Sequence, residues 1–333
     1  AGTGGVRGLR FRGVLLAMVA KGSTRPTNRD DGSCCDDDND KCLGICLQGF
    51  LSLLVAGCCG VIYLLIIPTW VGYNSTTGIS HAIGFGAVIG MMMTAYVQTS
   101  RTDPGSVPEG YVPDELLDEN GELISNVTQR ESVIKSGTVK YCKACDMYRP
   151  PRAHHCSTCG KCVLRMDHHC PWVNNCVGAA NTKFFVLFLL YATLACFYYA
   201  LLVFFFLVNF FKGKTLLHMK DLGAWLGLIL CTVIVVFCLS LMVAGLFGWN
   251  VWLVARNETS QENYDKEVAS AKARRPVRHP YDLGCVRNIK AVMGPHPWLW
   301  LVPVGPVGNI LRYEKNRDFD EAEMKPLHGD LAV

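Results

Sequence analysis

Between Tyr141 and Gly178 the chain reads YCKACDMYRPPRAHHCSTCGKCVLRMDHHCPWVNNCVG, which holds seven of its 17 cysteines and four of its nine histidines. Thiolates and imidazoles are the donors of structural zinc sites, four to an ion and often offered as C-x2-C pairs. Two such pairs stand here, Cys142/Cys145 and Cys156/Cys159, with Cys162 and Cys176 single. Six cysteines and two histidines complete two closed Cys3His sets and leave one cysteine over. Cys170 is the candidate for the spare thiol, because it follows Asp167-His168-His169 directly and lies outside any C-x2-C pair. A thiol beside an imidazole is activated as thiolate, and a carboxylate can orient that imidazole. The other imidazole is then free to ligate metal. Spacing alone leaves open which histidine does which.

The elements that must position this stretch are apolar. Half of the 333 residues are hydrophobic and 18% are charged, below the share of an ordinary soluble protein. Four stretches are long enough to cross a bilayer: Leu43–Ile67, ended by Pro68, then Ile79–Val97, Phe184–Phe211 and Leu222–Val254. Gly84, Gly86 and Gly90 would let the second approach its neighbours closely. Cys58, Cys59, Cys196, Cys231 and Cys238 fall inside spans and read as small packing residues.

The net charge of +4 is modest, but its distribution is informative. The loop Pro68–Ser80 carries no Lys or Arg and Lys212–Asp221 carries three, so the other 29 of 32 lie in the two tails or in Thr99–Lys183. Positive charge marks the cytosolic side, which places both termini and the Cys/His stretch there. A reducing compartment for so many unpaired thiols agrees with this. Trp70 and Tyr73 then sit at the opposite interface, Trp249 and Trp252 at the cytosolic one. Of three glycosylation sequons, at Asn74, Asn126 and Asn257, only the first would face the lumen.

Residues 1–42, rich in Gly, Arg and Asp, read as a disordered cytosolic tail. Within it Val14–Ala20 is too short to span, and with Arg7, Arg10 and Arg12 before it reads as a segment lying on the membrane. Cys34-Cys35 is a candidate for acylation, and Asp36-Asp37-Asp38 reads as a solvating run. The run Pro295–Val307 is apolar but too broken by proline to span, and is expected at the interface or under the third and fourth helices.

The stretch Cys142–Gly178 resembles the cysteine-rich domain of the DHHC protein S-acyltransferases (palmitoyltransferases). Asp103-Pro104-Gly105 is similar to that family's DPG motif. Asn257-Glu258-Thr259-Ser260-Gln261-Glu262 resembles its TTxE motif with Ser260 for the second Thr, and Tyr281-Asp282-Leu283-Gly284 through Asn288 to Gly294 resembles its C-terminal element. The resemblance covers Leu43–Gly294. It implies an all-α polytopic membrane protein of four transmembrane helices, with a cytosolic zinc-binding domain between the second and third. The boundaries are then a tail 1–42, helices 43–99, a linker 100–138, the zinc domain 139–181, helices 182–254 and a cytosolic C-terminal region 255–333.

The resemblance also implies two structural Zn2+ ions. One would be held by Cys142, Cys145, His155 and Cys162, the other by Cys156, Cys159, His169 and Cys176, with His154 outside both. Cys170 becomes the acyl-carrying nucleophile, His168 its base and Asp167 the residue that orients His168. The co-substrate implied is acyl-CoA, with a palmitoyl or similar chain, and the partners are the bilayer and proteins with cytosolic or juxtamembrane cysteines. The host membrane would be Golgi, ER or plasma membrane.

Aromatic positions Phe184/Phe188/Tyr191 and Phe185/Leu189 are candidates to line an acyl tunnel, and Arg149, Arg152, Lys161 and Arg165 to meet coenzyme A phosphates. Thr259, Ser260 and Glu262 are expected to tie the tail to the zinc domain, and Asn288 to satisfy buried backbone. A zinc-stabilised scaffold without activity is the alternative. A nucleic-acid finger is excluded by spacing, since C-x2-4-C-x12-H-x3-5-H is not present.

Overall fold

The computed structural model describes residues 36–135, 139–216, 219–305, 311 and 313–316. Val14–Ala20 and Cys34-Cys35 lie outside the described residues. Among the described residues, four helices are long and apolar enough to cross a membrane, over Lys41–Val71, Thr76–Arg101, Thr182–Phe211 and Gly227–Arg256. The protein is thus a mostly helical, multi-pass membrane protein with the cysteine-rich stretch between its second and third spans.

Helix α1 (Asp36–Gly60) begins inside the segment expected to be a disordered tail. Beyond Gly60 the same rod continues over Val61–Val71 with wider i→i+5 turns. Pro68 lies inside this stretch and does not end it, contrary to expectation. A widened turn accommodates the ring and the missing N–H, and the chain stops only at Gly72, whose φ of 75° favours glycine.

Helix α2 (Thr76–Arg101) starts on Ser75, whose hydroxyl accepts from the Gly78 N–H, and runs antiparallel back to the zinc-type module. Helix α3 (Val127–Lys135) is a short surface helix of the connecting segment. Helices α4 (Thr182–Phe211) and α5 (Met219–Arg256) complete the bundle, followed by α6 (Ser260–Ala273) and α7 (Cys285–Met293). Two apolar cores stack along the bundle. One, around Phe85, Phe206 and Ile62, fills the half remote from the module. The other, around Phe185, Leu187 and Tyr96, reaches up to Cys170. Cys58 is buried as expected, while Cys231 and Cys238 face outward from α5.

The module itself consists of three β-hairpins, β1–β2 (Lys140–Cys142, Met147–Arg149), β3–β4 (His154–Cys156, Lys161–Val163) and β5–β6 (His168–Cys170, Asn175–Val177). Their first strands start at Lys140, His154 and His168, fourteen residues apart. The fourth turn residue is left-handed in each, at Asp146 (φ 53°), Gly160 (φ 64°) and Asn174 (φ 50°). Asp, Gly and Asn are the residues that tolerate this conformation best. The stretch is therefore one unit written three times.

Candidate active site

The repeat explains how the donors meet. Hairpin one brings Cys142 and Cys145 to its tip, and the middle of hairpin two supplies the cross-strand pair His155 and Cys162. These four donor atoms lie within 4.8 Å of one another. Hairpin two in turn offers Cys156 and Cys159 at its tip to His169 and Cys176, the middle pair of hairpin three, again within 4.8 Å. Each tip is thus closed by the next hairpin.

The separations suit one tetrahedral ion per set. Cys145 Sγ to Cys162 Sγ is 3.7 Å, Cys159 Sγ to Cys176 Sγ 3.5 Å, and Cys159 Sγ to His169 Nδ1 3.4 Å. Zn–S bonds near 2.3 Å put tetrahedral ligands about 3.8 Å apart. Three thiolates and one imidazole are also the donor chemistry zinc takes in closed structural sites. The two Cys/His clusters are therefore compatible with zinc.

Hairpin three ends the series. Cys170 holds the tip position that Cys142 and Cys156 hold in the others, but its C-x2-C partner is Val173. No fourth hairpin follows, only α4. Neither cluster includes Cys170, which is buried in the apolar core that continues into the bundle. Its backbone is pinned from two spans. Gln48 Nε2 on α1 donates to the Val173 carbonyl at 3.0 Å, and Tyr96 Oη on α2 to the Trp172 carbonyl at 3.1 Å. Gly44 on α1 lies so close to Asn174 that a Cβ there would sit 2.4 Å from its Oδ1. Asn175 Nδ2 caps the end of α2 through the carbonyls of Thr99 (3.0 Å) and Thr102 (2.8 Å), and buried Asn181 adds a bond to Thr99 at 3.2 Å.

Beside the thiol, His168 Nδ1 and Asp167 Oδ2 are 2.6 Å apart. Burial by itself lowers the His168 pKa, but hydrogen bonds to Asp167 and Cys170 outweigh it and leave the value raised to about 10. Asp167 is nearly enclosed. Burial alone would raise its pKa, yet the His168 hydrogen bond and charge and the Ser260 N–H hold it below the ordinary range. The Phe185 ring stands edge-on to the imidazole with centroids 5.4 Å apart.

Ser260 opens α6, which is fixed by a capping box in which Glu262 Oε2 accepts the Thr259 N–H at 2.9 Å and Thr259 Oγ1 the Glu262 N–H at 3.2 Å. Glu262 also grips Arg152 through two N–H···O bonds, Nε to Oε1 at 2.6 Å and Nη2 to Oε2 at 2.8 Å. Burial would raise the Glu262 pKa, but the Arg152 charge and these bonds bring it down to about 2. Asn288, fully buried, receives the Leu283 N–H at 2.9 Å and donates to the Ala255 carbonyl at 2.8 Å.

Three basic side chains expected to meet coenzyme A have other partners. Arg152 is buried on Glu262, Arg165 is buried and bonds Thr182 Oγ1 at 3.3 Å, and Lys161 pairs with Asp103 at 2.8 Å. The sequence shows their charge but not the carboxylates that fold onto them. Asp103 also accepts the Gly105 N–H at 2.8 Å, shaping the loop whose Gly105 carbonyl receives the Leu164 N–H at 2.7 Å. His154 lies outside both clusters, as the resemblance implied. Phe184, Phe185 and Phe188 are buried, and Tyr191 Oη donates to the Leu301 carbonyl at 2.6 Å. With Lys183 Nζ on the Leu299 carbonyl at 2.9 Å, this bond packs the described part of the Pro295–Val307 run, residues 295–305, against α4.

Comparison with known proteins identifies the family to which this bundle of four spans and its hairpin module belong. Residues 135–267 match the DHHC palmitoyltransferase family. The chain is 34% identical over 266 residues to probable protein S-acyltransferase 16 of Arabidopsis thaliana, covering 78% of this chain and 89% of that protein. It is 35% identical to probable protein S-acyltransferase 13 of the same plant, covering 78% and 85%. Human palmitoyltransferase ZDHHC15 is 40% identical over 171 residues, 51% of this chain and 48% of the relative. The chain belongs to the DHHC palmitoyltransferase family.

Proposed function

We propose that this protein is a protein S-acyltransferase that moves a long-chain acyl group, most simply palmitoyl, from acyl-CoA to protein cysteines through an acyl-Cys170 intermediate. The observation that carries this reading is the third hairpin tip. A cysteine in a metal-ligand position, left without its partner, sits against a hydrogen-bonded Asp167–His168 pair. In the first step Cys170 Sγ, its proton already held by His168 as the raised pKa of that imidazole favours, attacks the thioester carbonyl. The carbonyl–sulfur bond to coenzyme A breaks, and the departing thiolate takes the proton from His168. In the second step a substrate cysteine gives its proton to His168 and attacks the acyl-Cys170 carbonyl. The Cys170 thiolate leaves and stands again beside the protonated His168. Asp167 holds the imidazole in one orientation and stabilises its charge throughout.

Zinc in the two clusters would supply folding energy and no chemistry. The acyl chain belongs with the apolar core beneath Cys170, where Met92, Phe185 and Phe188 lie. The module faces the cytosol in this reading, as the Lys/Arg distribution requires.

The test is intact-protein mass with and without long-chain acyl-CoA, together with zinc content. Wild type is expected to gain one acyl mass on Cys170, and Cys170→Ser to gain none while keeping two zinc ions. An adduct that survives in Cys170→Ser overturns the assignment.

A further inference from the structure

The path from Asp167 does not end at Glu262. It continues into a strap at the far end of the described chain. Arg152 is 5% exposed, and its guanidinium lies against two rings, 4.5 Å from the Tyr281 centroid and 4.8 Å from that of Tyr313. The remaining donors bind Asn257, Nη2 to its carbonyl at 2.7 Å and Nη1 to Oδ1 at 3.3 Å. Arg152 is thus held by Glu262, Asn257 and two rings that meet each other edge-on with centroids 5.9 Å apart, and Tyr313 comes from a different source than the rest. It belongs to residues 313–316, which begin forty positions beyond the end of α6 at Ala273. The strap is attached by Asn316, whose N–H meets the Pro280 carbonyl at 2.8 Å and whose Nδ2 meets the Asp282 carbonyl at 3.0 Å. Glu314 and Arg287 add an exposed pair at 3.6 Å.

We infer that Tyr313 is a positioning residue for the catalytic pair, acting through Arg152, Glu262 and the first turn of α6 on Asp167. This rests on the acyltransferase reading. A guanidinium packed against aromatic rings is shielded from water, and in that state its fork grips a carboxylate most strongly. Glu262 has two tasks, the fork with Arg152 and the capping box that sets where α6 begins. The first helical N–H beyond that cap, from Ser260, is the one bonded to Asp167. Removing the Tyr313 ring opens Arg152 to water, loosens Glu262, and frees Asp167 to drift from His168. None of these groups is a candidate metal ligand, so the effect is separable from folding of the module.

The experiment uses the full chain in detergent with wild type, Tyr313→Phe and Tyr313→Ala, reading single-turnover acylation from long-chain acyl-CoA alongside zinc content. Tyr313→Phe keeps the ring and is expected to acylate at the wild-type rate. Tyr313→Ala is expected to lose about three- to thirtyfold in maximal rate, the equivalent of a partly desolvated cation–π contact, with half-saturating acyl-CoA and zinc unchanged. Equal rates for Ala and wild type overturn the inference, as do equal losses in Phe and Ala, or a loss that tracks falling zinc. A wild-type chain that forms no adduct overturns the acyltransferase reading itself.

Discussion

His279 shows how closely the C-terminal region is folded onto the module. It is 8% exposed, with Nε2 at 3.2 Å from the Asn257 carbonyl and 3.6 Å from Glu262 Oε2, and with Arg152 and Lys266 nearby. Burial lowers its pKa from 6.5 to about 4, despite the opposing pull of Glu262. The folded state thus favours the neutral ring, while the unfolded chain takes up a proton near pH 6.5. Stability from this residue is complete above that pH and is lost as pH falls towards 4. The span corresponds to on the order of 3 kcal/mol. Melting of the purified protein between pH 7.5 and 4.5 is expected to fall less steeply in His279→Gln than in wild type. At this scale the sequence was informative about Cys170, because counting donors against two tetrahedral sites isolates one thiol. It was silent on Arg152 and Arg165. A charge in a sequence carries no sign of the carboxylate or the ring that will cover it, and both proved buried.

At the scale of elements, the hairpin series makes a sharp statement about Val173. It stands where Cys145 and Cys159 stand, is fully buried, and is the only reason the third tip is not a C-x2-C pair. Val173→Cys is expected to close that tip on Cys170, as a disulfide or around a metal ion, and to cut acyl-enzyme formation by at least about tenfold. Val173→Ala, which leaves Cys170 unpaired, should retain the adduct in the same mass measurement. A Val173→Cys protein that still acylates fully under oxidising, metal-replete conditions would show that the spare position does not depend on the missing partner. The fourteen-residue period was present in the sequence at Cys142, Cys156 and Cys170. It was masked because the repeated positions change chemistry, from Tyr141 to His155 and His169, and because each ligand set is shared between two hairpins. The helices were more legible, since length and apolarity suffice to find a span. Their ends were less so. Helix α1 begins at Asp36, ahead of the apolar run, and Pro68 is absorbed by widened turns, neither of which follows from hydropathy.

For the whole molecule, the three sequons turn the proposed orientation into a measurement. Asn74 is exposed in the turn between the first two spans, and Asn126 is exposed on the module side. Asn257 is 4% exposed and bonds Arg152 and the Tyr281 carbonyl, so the folded chain offers it to no glycosylating enzyme. Expressed in a eukaryotic membrane, the chain is expected to carry no sugar at Asn126. Any glycan should be removed by Asn74→Gln alone. Sugar on Asn126 would invert the topology.

The grip of Gln48, Tyr96, Asn175 and Asn181 on the loop after Cys170 ties it to α1 and α2, and Asn181 stands at the head of α4. No tether of slack chain separates the reactive sulfur from its anchors. On the acyltransferase reading, such a catalyst cannot lean out to meet its clients. They must bring a thiol to a fixed altitude above the lipid, and height rather than sequence becomes the first thing it selects.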